Sequence, residues 1–258
     1  MINDVDVIIP TYMETTRLAE AVNSCKNQTH PPSKIIIVDD GSDEETKLWL
    51  KKQYSSDPSI LLILAPHTSL PGVARSIGIE AAEATWLAFL DADDSWHEEK
   101  LEFQLKYAVE NDAEFISTNA MARRINKPDN LLFNDPPKII RFRDLVKTNW
   151  VINSSVLVKS SLLKDRHQYA TSIRVRAVED FATWLRIATD TDIHIISEPL
   201  TNYRVSEESI RSHDVIDPRI HAFADFLIWT ESQRTVNSLS FRKHKRVVLK
   251  QIAKQYGN

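Results

Sequence analysis

The stretch Thr85-Trp-Leu-Ala-Phe-Leu90, followed at once by Asp91-Ala-Asp93-Asp94, decides how the rest of this chain is read. Six residues, five of them apolar and three of them β-favouring, describe a buried strand, and the strand delivers three carboxylates within four positions at its carboxyl end. In open α/β sheets that end is where ligands bind. Carboxylates this close repel one another unless positive charge lies between them, and a hard divalent cation shared with a phosphorylated ligand is the usual arrangement. If the strand stays extended, alternation sends Asp91 and Asp93 to one side. Capping the helix expected from residue 98 would use Asp94 or Ser95 and leave two carboxylates unexplained.

Working outward, residues 5–9, 34–38 and 60–64 read as strands, and 17–27, 44–54, 71–84 and 98–110 as helices. Strand and helix in alternation imply α/β architecture: a mostly parallel central sheet with helices on both faces. Right-handed crossovers then bring Pro10-Thr11, Asp39-Asp40 and Asp91 to Asp94 to one sheet edge. Beyond residue 111 the alternation weakens. Residues 113–117 and 155–158 read as short strands, 126–137 as a loop and 179–189 as a helix. Residues 193–196 and 200–204 read as a pair of strands, 219–234 and 241–255 as two terminal helices.

The chain has 258 residues, 42% hydrophobic and 26% charged, as in ordinary globular proteins. A net charge of −4 argues against nucleic acid as a partner. One cysteine cannot form an internal disulfide, and Cys25 sits in a helical pattern beside Ala21 and Val22, so it reads as a packed thiol. Four glycines form neither G-x-G-x-x-G nor a Walker pattern, which disfavours phosphate binding through a glycine-rich loop. The apolar run 60–64 is strand-length, and the first residues, Met1 to Asp6, have neither a basic nor an apolar leader, so a cytoplasmic location is expected. Residues 241–258 carry Arg242, Lys243, Lys245, Arg246, Lys250 and Lys254 and no acid, interleaved with Val247, Val248, Leu249 and Ile252. Two readings stand: a helix docked by its apolar stripe, or a basic amphipathic helix resting on anionic lipid at the inner face of the cell membrane.

Other candidates are ambiguous by themselves. Asp39-Asp40-Gly41-Ser42 fits an ordinary strand-to-helix turn with an Asp or Ser cap. Glu179-Asp180 opens a helix with Trp184, Leu185 and Ile187 as its apolar face, and acidic residues are favourable there in any case. Arg75 reads by default as a solvent-exposed ion pair. His67, His97 and His221 have no metal-ligand spacing and read as surface or loop residues. Ser154 and Ser155 lack a G-x-S-x-G elbow.

Taken in order, Val7-Ile-Ile-Pro10-Thr11-Tyr12, Ile37-Val-Asp39-Asp40-Gly41-Ser42, Gly72-Val-Ala-Arg75, Phe89-Leu-Asp91-Ala-Asp93-Asp94 and Glu179-Asp180 closely resemble the hallmarks of family 2 glycosyltransferases with the GT-A fold. The match is dense over 5–105, moderate over 150–210 and absent from about 215 onward. The resemblance implies a Rossmann-like GT-A domain over 1–212, with a nucleotide-sugar half at 1–112 and an acceptor-side half at 113–212. Residues 213–258 would then be a C-terminal helical extension. It also implies a nucleotide-sugar donor, usually a UDP-sugar, whose diphosphate is bridged to the carboxylate turn by Mn²⁺ or Mg²⁺.

Carried across, Pro10, Thr11 and Glu14 would line the nucleotide pocket, and Asp40 would accept from the base edge. Arg75 would contact nucleoside or diphosphate, Asp91 ribose or metal, and Asp93 would be the principal metal ligand. Asp180 would be the general base, with Glu179 orienting it or the acceptor. The run Tyr203 to Ser209 is similar to a family segment that closes over the diphosphate, with Arg204 and Ser209 as its contacts. Trp150 and Asn153 would offer a stacking platform and a hydrogen bond to the acceptor sugar; a packed core Trp is the competing reading. The chain departs from the pattern at Leu70 and Ser76, where the family commonly has Asn, and over 164–177, where a Gly-Gly-Phe-rich approach is missing.

The expected activity is inverting transfer of a hexose or N-acetylhexosamine to a glycan or lipid-linked acceptor hydroxyl, in bacterial surface polysaccharide synthesis. A nucleotidyltransferase would instead release pyrophosphate and usually has a glycine-rich amino-terminal loop. A non-catalytic nucleotide-sugar binding module would bind donor without turnover. A homodimer through the terminal helices is a further expectation.

Overall fold

The computed structural model describes residues 4–124, 127–205, 218–232 and 239–256. Along β1 (Val5–Thr11), Val5, Val7 and Ile9 enter one apolar layer and Ile8 the other. Along β2 (Lys34–Asp40), Ile35 and Ile37 oppose Ile36 and Val38. The opening strand, β4 (Trp86–Phe89), does the same, with Trp86 and Ala88 against Leu87 and Phe89. Strands apolar on both faces need helices on both sides.

With β3 (Ile60–Ala65), these strands form the parallel run β3-β2-β1-β4. The crossovers are α1 (Thr16–Lys26), α2 (Glu44–Tyr54) and α3 (Pro71–Ala81). Helix α1 buries Leu18, Ala21, Val22 and the free Cys25 in one layer, and α3 contributes Ala74 and Ile79 to the other. A Cβ on Gly78 would stand 2.6 Å from the Ile8 side chain, so α3 lies against β1 at a spacing only glycine permits. Helix α3 stops at Ala81, short of the expected 84, because Asp6 Oδ2 accepts from the N–H groups of Glu83 and Ala84 at 2.7 and 3.0 Å.

Downstream the sheet is mixed. Strand β9 (Leu157–Lys159) lies between β4 and β6 (Phe115–Arg123) and is antiparallel to both. Strand β10 (Ile193–Arg204) runs parallel to β6, and β5 (Ser95–Trp96) pairs with it antiparallel. Two-residue strands β7 (Asn130–Leu131) and β8 (Ile139–Ile140) pair β6 and β10. The two strands expected at 193–196 and 200–204 are therefore one, with register shifts on either side of Pro199, which has no N–H for the ladder. The strand expected at 113–117 continues to Arg123 because β10 lies alongside it.

The remaining α-helices among the described residues are α4 (Lys100–Asn111), α5 (Phe142–Leu145), α6 (Glu179–Ile187), α7 (Arg219–Ser232) and α8 (Leu239–Tyr256). Helix α4 starts without a side-chain cap, so neither Asp94 nor Ser95 plays that part. Ala222, Phe223 and Phe226 of α7 and Val248 of α8 are fully buried in the layer that holds Trp184, so both terminal helices share the main core. The expected boundary at 212/213 lies outside the described residues. Helix α8 docks through Val248, Val247 and Ile252 and leaves Arg242, Lys243, Arg246, Lys250 and Lys254 exposed around Leu249. Among the described residues no helix is long and apolar enough to cross a membrane.

Candidate active site

The carboxyl ends of β1, β2 and β4 and the start of α3 border a cleft of about 730 Å³. Pro10 and Thr11 line it from β1, Glu14 from the loop after it, Asp40 from β2, Arg75 from α3, and Asp91 and Asp93 from the turn after β4. The parallel run of strands places these dispersed residues together, since it sends their ends to one edge.

At the cleft's β2 side, Asp40 is only 7% exposed. Its Oδ1 accepts from the Thr68 N–H and Oγ1, both at 2.8 Å, and its Oδ2 from the Ser69 N–H at 3.0 Å. Most of this carboxylate's acceptor capacity thus holds the loop after β3. The same loop carries His67, which was expected on the surface but lines the cleft: its ring stacks on Tyr12 at 4.5 Å, and Nδ1 lies 2.7 Å from the Asp40 carbonyl oxygen. Asp39 is turned inward, accepting from the Ser42 N–H and hydroxyl at 3.1 and 2.5 Å, and the cap of α2 is Asp43. A Cβ on Gly41 (φ +72°) would meet the His67 backbone at 2.4 Å, so this turn requires glycine.

Arg75 corrects the reading of an exposed ion pair. It is 6% exposed and joins two acids: Nη2 donates to Asp91 Oδ1 at 2.6 Å and Nη1 to Glu179 Oε1 at 2.7 Å. This links the carboxylate turn after β4 to the amino terminus of α6. Glu179 is buried, and its Oε2 has no hydrogen-bond partner. Asp180, next in sequence, accepts from the Phe181 N–H at 2.6 Å. Burial, and after it the Glu179 charge, push its pKa up to about 7, against the pull of Arg75.

The three carboxylates of the turn differ. Asp91 keeps 29% of its side-chain surface open. Asp93 keeps 40% and faces Arg17 Nη1 at 3.9 Å. Burial and the charge of Asp91 raise the Asp93 pKa, against Arg17 and Arg204. Asp94 is buried, and burial raises its pKa furthest; it accepts from Ser154 Oγ at 2.5 Å and from the Arg204 N–H at 2.8 Å. Among the described residues no three His, Cys, Asp or Glu side chains converge as a metal cage. Two open carboxylates, one destabilised by the other's charge, nevertheless suit a cation whose remaining ligands come from a phosphorylated substrate.

Arg204 secures the turn from β10, its Nε donating to the Asp93 carbonyl at 3.1 Å and its Nη2 meeting Glu20 at 3.4 Å. Ser209 lies outside the described residues. Neither expected acceptor contact lines the cleft. Trp150 packs edge-on to Phe133, ring centroids 5.2 Å apart, against the core. Asn153 is 6% exposed and spends its amide on Asp91 and Tyr169. No motif marks Arg17, Ser69 and Arg176 of the lining, nor Tyr169, which hydrogen-bonds Asn153, and Ser154 contacts Asp91 and Asp94 although it carries no nucleophile pattern. Ser69 (φ 59°) and Ala177 (φ 68°) line the cleft in left-handed conformations, a strain of about 1–2 kcal/mol each that only surrounding structure sustains.

The sequence model of the glycosyl transferase family 2 matches residues 6–165, more than half of the chain. The chain belongs to that family. Within it, the chain is 30% identical over 214 residues to TuaG of Bacillus subtilis, a glycosyltransferase named for teichuronic acid biosynthesis, covering 81% of this chain and 82% of TuaG. It is 26% identical over 218 residues to WfgD of Escherichia coli, named a UDP-Glc:alpha-D-GlcNAc-diphosphoundecaprenol beta-1,3-glucosyltransferase, covering 81% and 80%. It spans 39% of a longer Rickettsia felis glycosyltransferase, at 28% identity over 87% of this chain. Among solved structures, S. aureus TarS 1–349 in complex with UDP-GlcNAc superposes with a TM-score of 0.74 at 17% identity, covering 98% of this chain and 73% of that one. This family 2 enzyme thus shares the fold of TarS and the central sheet flanked by helices that its sequence implies.

Proposed function

We propose that this family 2 enzyme is an inverting, metal-dependent hexosyltransferase. It would move a hexose or N-acetylhexosamine from a UDP-sugar to a hydroxyl of a glycan or lipid-linked saccharide, in making a bacterial surface polysaccharide. The observation that carries the reading is the Asp91–Arg75–Glu179 chain of ion pairs, which ties the carboxylate turn to the helix start bearing Asp180. The names of the relatives support the donor and acceptor classes: TarS holds UDP or UDP-GlcNAc, and WfgD is named for transferring glucose from UDP-Glc to a diphosphoundecaprenol-linked GlcNAc. The exposed basic face of α8 would rest on anionic lipid and keep the enzyme near such an acceptor.

Asp91 and Asp93 would hold Mn²⁺ or Mg²⁺, which when bound offsets the negative charge that grows on a departing diphosphate. Arg75 adds fixed positive charge to the same region. Asp180, with its pKa near neutrality, takes the proton from the acceptor hydroxyl as that oxygen attacks the anomeric carbon opposite the leaving group. The bond to the diphosphate breaks, the bond to the acceptor forms, the anomeric centre inverts, and UDP leaves. Glu179, held by Arg75, fixes the position of Asp180 relative to the donor side.

The test is UDP release from UDP-glucose and UDP-N-acetylglucosamine, with Mn²⁺ and with EDTA. Wild type should release UDP with Mn²⁺, and EDTA or Asp93→Ala should cut the rate by ~100-fold or more. Full activity in either case would reject the metal role, and pyrophosphate release from a nucleoside triphosphate would reject glycosyl transfer.

A further inference from the structure

We propose that Asn153, Ser154 and Tyr169 are positioning residues that hold the Asp91-to-Asp94 turn in register for a divalent cation and a sugar-nucleotide diphosphate, with Tyr169 acting through Asn153. The proposal rests on the reading of Asp91 and Asp93 given above.

Asn153 and Ser154 belong to a single 3-10 turn, Asn153–Ser155, beside the end of β4, and all three residues are buried. Asn153 Nδ2 donates to Asp91 Oδ1 at 3.0 Å, the same oxygen that Arg75 takes from the other side. Ser154 Oγ accepts from the Asp91 N–H at 3.1 Å and donates to Asp94 Oδ2 at 2.5 Å. Two successive side chains thus fix the carboxylate of Asp91, its backbone and the carboxylate of Asp94. The acid turn is held at three points without blocking the open surface of Asp91. The turn itself is anchored from behind: Trp96 Nε1 donates to the Ser154 carbonyl at 2.6 Å, and Gln104 Nε2 to the Ser155 carbonyl at 2.8 Å.

Tyr169 supplies the orientation. Its hydroxyl donates to Asn153 Oδ1 at 3.0 Å. An amide has one acceptor end and one donor end, so occupying the oxygen with a hydroxyl donor aims the NH₂ at Asp91. The reversed amide would set its oxygen against a carboxylate oxygen. The Tyr169 ring packs tilted against Phe89 at 5.6 Å and edge-on to Trp184 at 5.9 Å, and the Arg75 guanidinium lies 5.7 Å from its centroid. Phenylalanine would fill that space equally well. The hydroxyl, which is costly to bury, is therefore explained by its bond to Asn153.

The experiment measures UDP binding by titration calorimetry with Mn²⁺ and with EDTA, for wild type, Tyr169→Phe, Asn153→Ala and the double variant, alongside melting temperatures. Tyr169→Phe should melt within about 4 °C of wild type. It should weaken Mn²⁺-dependent UDP binding by about fivefold to tenfold and leave the binding measured in EDTA unchanged. In the Asn153→Ala background Tyr169→Phe should cost nothing further, because its effect passes through the missing amide. Wild-type Mn²⁺-dependent binding in Tyr169→Phe, or losses that multiply in the double variant, would overturn the positioning role while leaving the site reading intact. Failure of wild type itself to bind UDP with Mn²⁺ would overturn both. If Tyr169→Phe melts far below wild type, Ser154→Ala takes its place, with the same loss expected and wild-type binding again overturning the proposal.

Discussion

Burial raises the Asp180 carboxyl at the start of α6, the charge of Glu179 beside it adds to the shift, and Arg75 opposes both, so its pKa settles at about 7. As the base, it should make turnover rise about tenfold per pH unit on the acid side of that value and level off above it, in UDP release measured from about pH 5.5 to 8.5. A flat profile would exclude it. Asp180→Asn should lower kcat by about 10²–10⁴-fold and leave donor KM nearly unchanged. The shift also has a stability signature. Between its ordinary value of 3.8 and about 7 the folded state keeps a proton that the unfolded chain has released. Asp180 therefore favours folding at acid pH, and that contribution fades as pH rises through about 7. The margin of wild type over Asp180→Asn in thermal melts should shrink across this window. None of this follows from the dipeptide Glu179-Asp180 in isolation, which any helix start would welcome. The shift comes from burial and the fixed charge of Glu179, which Arg75, 104 residues earlier, holds in place while itself opposing the shift.

Helix α3 presents Arg75 because Gly72, one turn earlier, lets the helix approach the segment before α6. A Cβ there would stand 2.3 Å from the Ala170 carbonyl oxygen, a backbone atom that cannot swing aside. Gly72→Ala should cost about 1–3 kcal/mol in thermal unfolding and lose UDP-release activity as Arg75 is displaced; wild-type activity would separate helix position from function. Helix α4 carries a different burden. Its Lys100 is fully buried, donates to Gln104 Oε1 at 2.7 Å and sits 4.0 Å above the Trp96 ring, and burial lowers its pKa to about 7. The unfolded chain keeps its proton up to the ordinary value of 10.5, so wild type should gain stability as pH rises from about 7 towards 10. Lys100→Met should melt above wild type near pH 6, with the margin shrinking as pH rises; a constant margin would show that Lys100 is not titrating. The helical pattern of 98–110 was readable, but its buried Lys100 and Gln104 were not, since polar residues in an amphipathic helix normally face water.

Across the whole molecule, one sheet edge gathers side chains from β1, β2, α3 and the turn after β4 into a cleft, and the Arg75–Glu179 ion pair ties its wall to the start of α6. A ligand that binds only this assembled cleft stabilises the folded state by mass action, by ~2.7 kcal/mol at a hundred times its Kd, and so raises the melting temperature. UDP with Mn²⁺ should therefore raise it more than GDP, CMP or dTDP at equal concentration in a thermal-shift screen. Equal shifts from all four would argue against a uridine preference.

What local pattern determined was the parallel half. The short length of the apolar runs and the turn residues that bound them mark β1 to β4 as strands, their connecting helices follow from periodicity, and parallel connection sends the strand ends to one edge. The second half escaped such reasoning because its elements are decided by partners distant in the chain. β9 is fixed by antiparallel pairing with both β4 and β6, and β10 stays one strand because β6 pairs with it past Pro199. Trp150 and Asn153 have side chains suited to a sugar, yet hydrogen bonding takes Asn153 to Asp91 and packing takes Trp150 to Phe133. Periodicity reports which residues leave water. Which charge a buried side chain meets there depends on long-range contacts, and only the tertiary structure sets those.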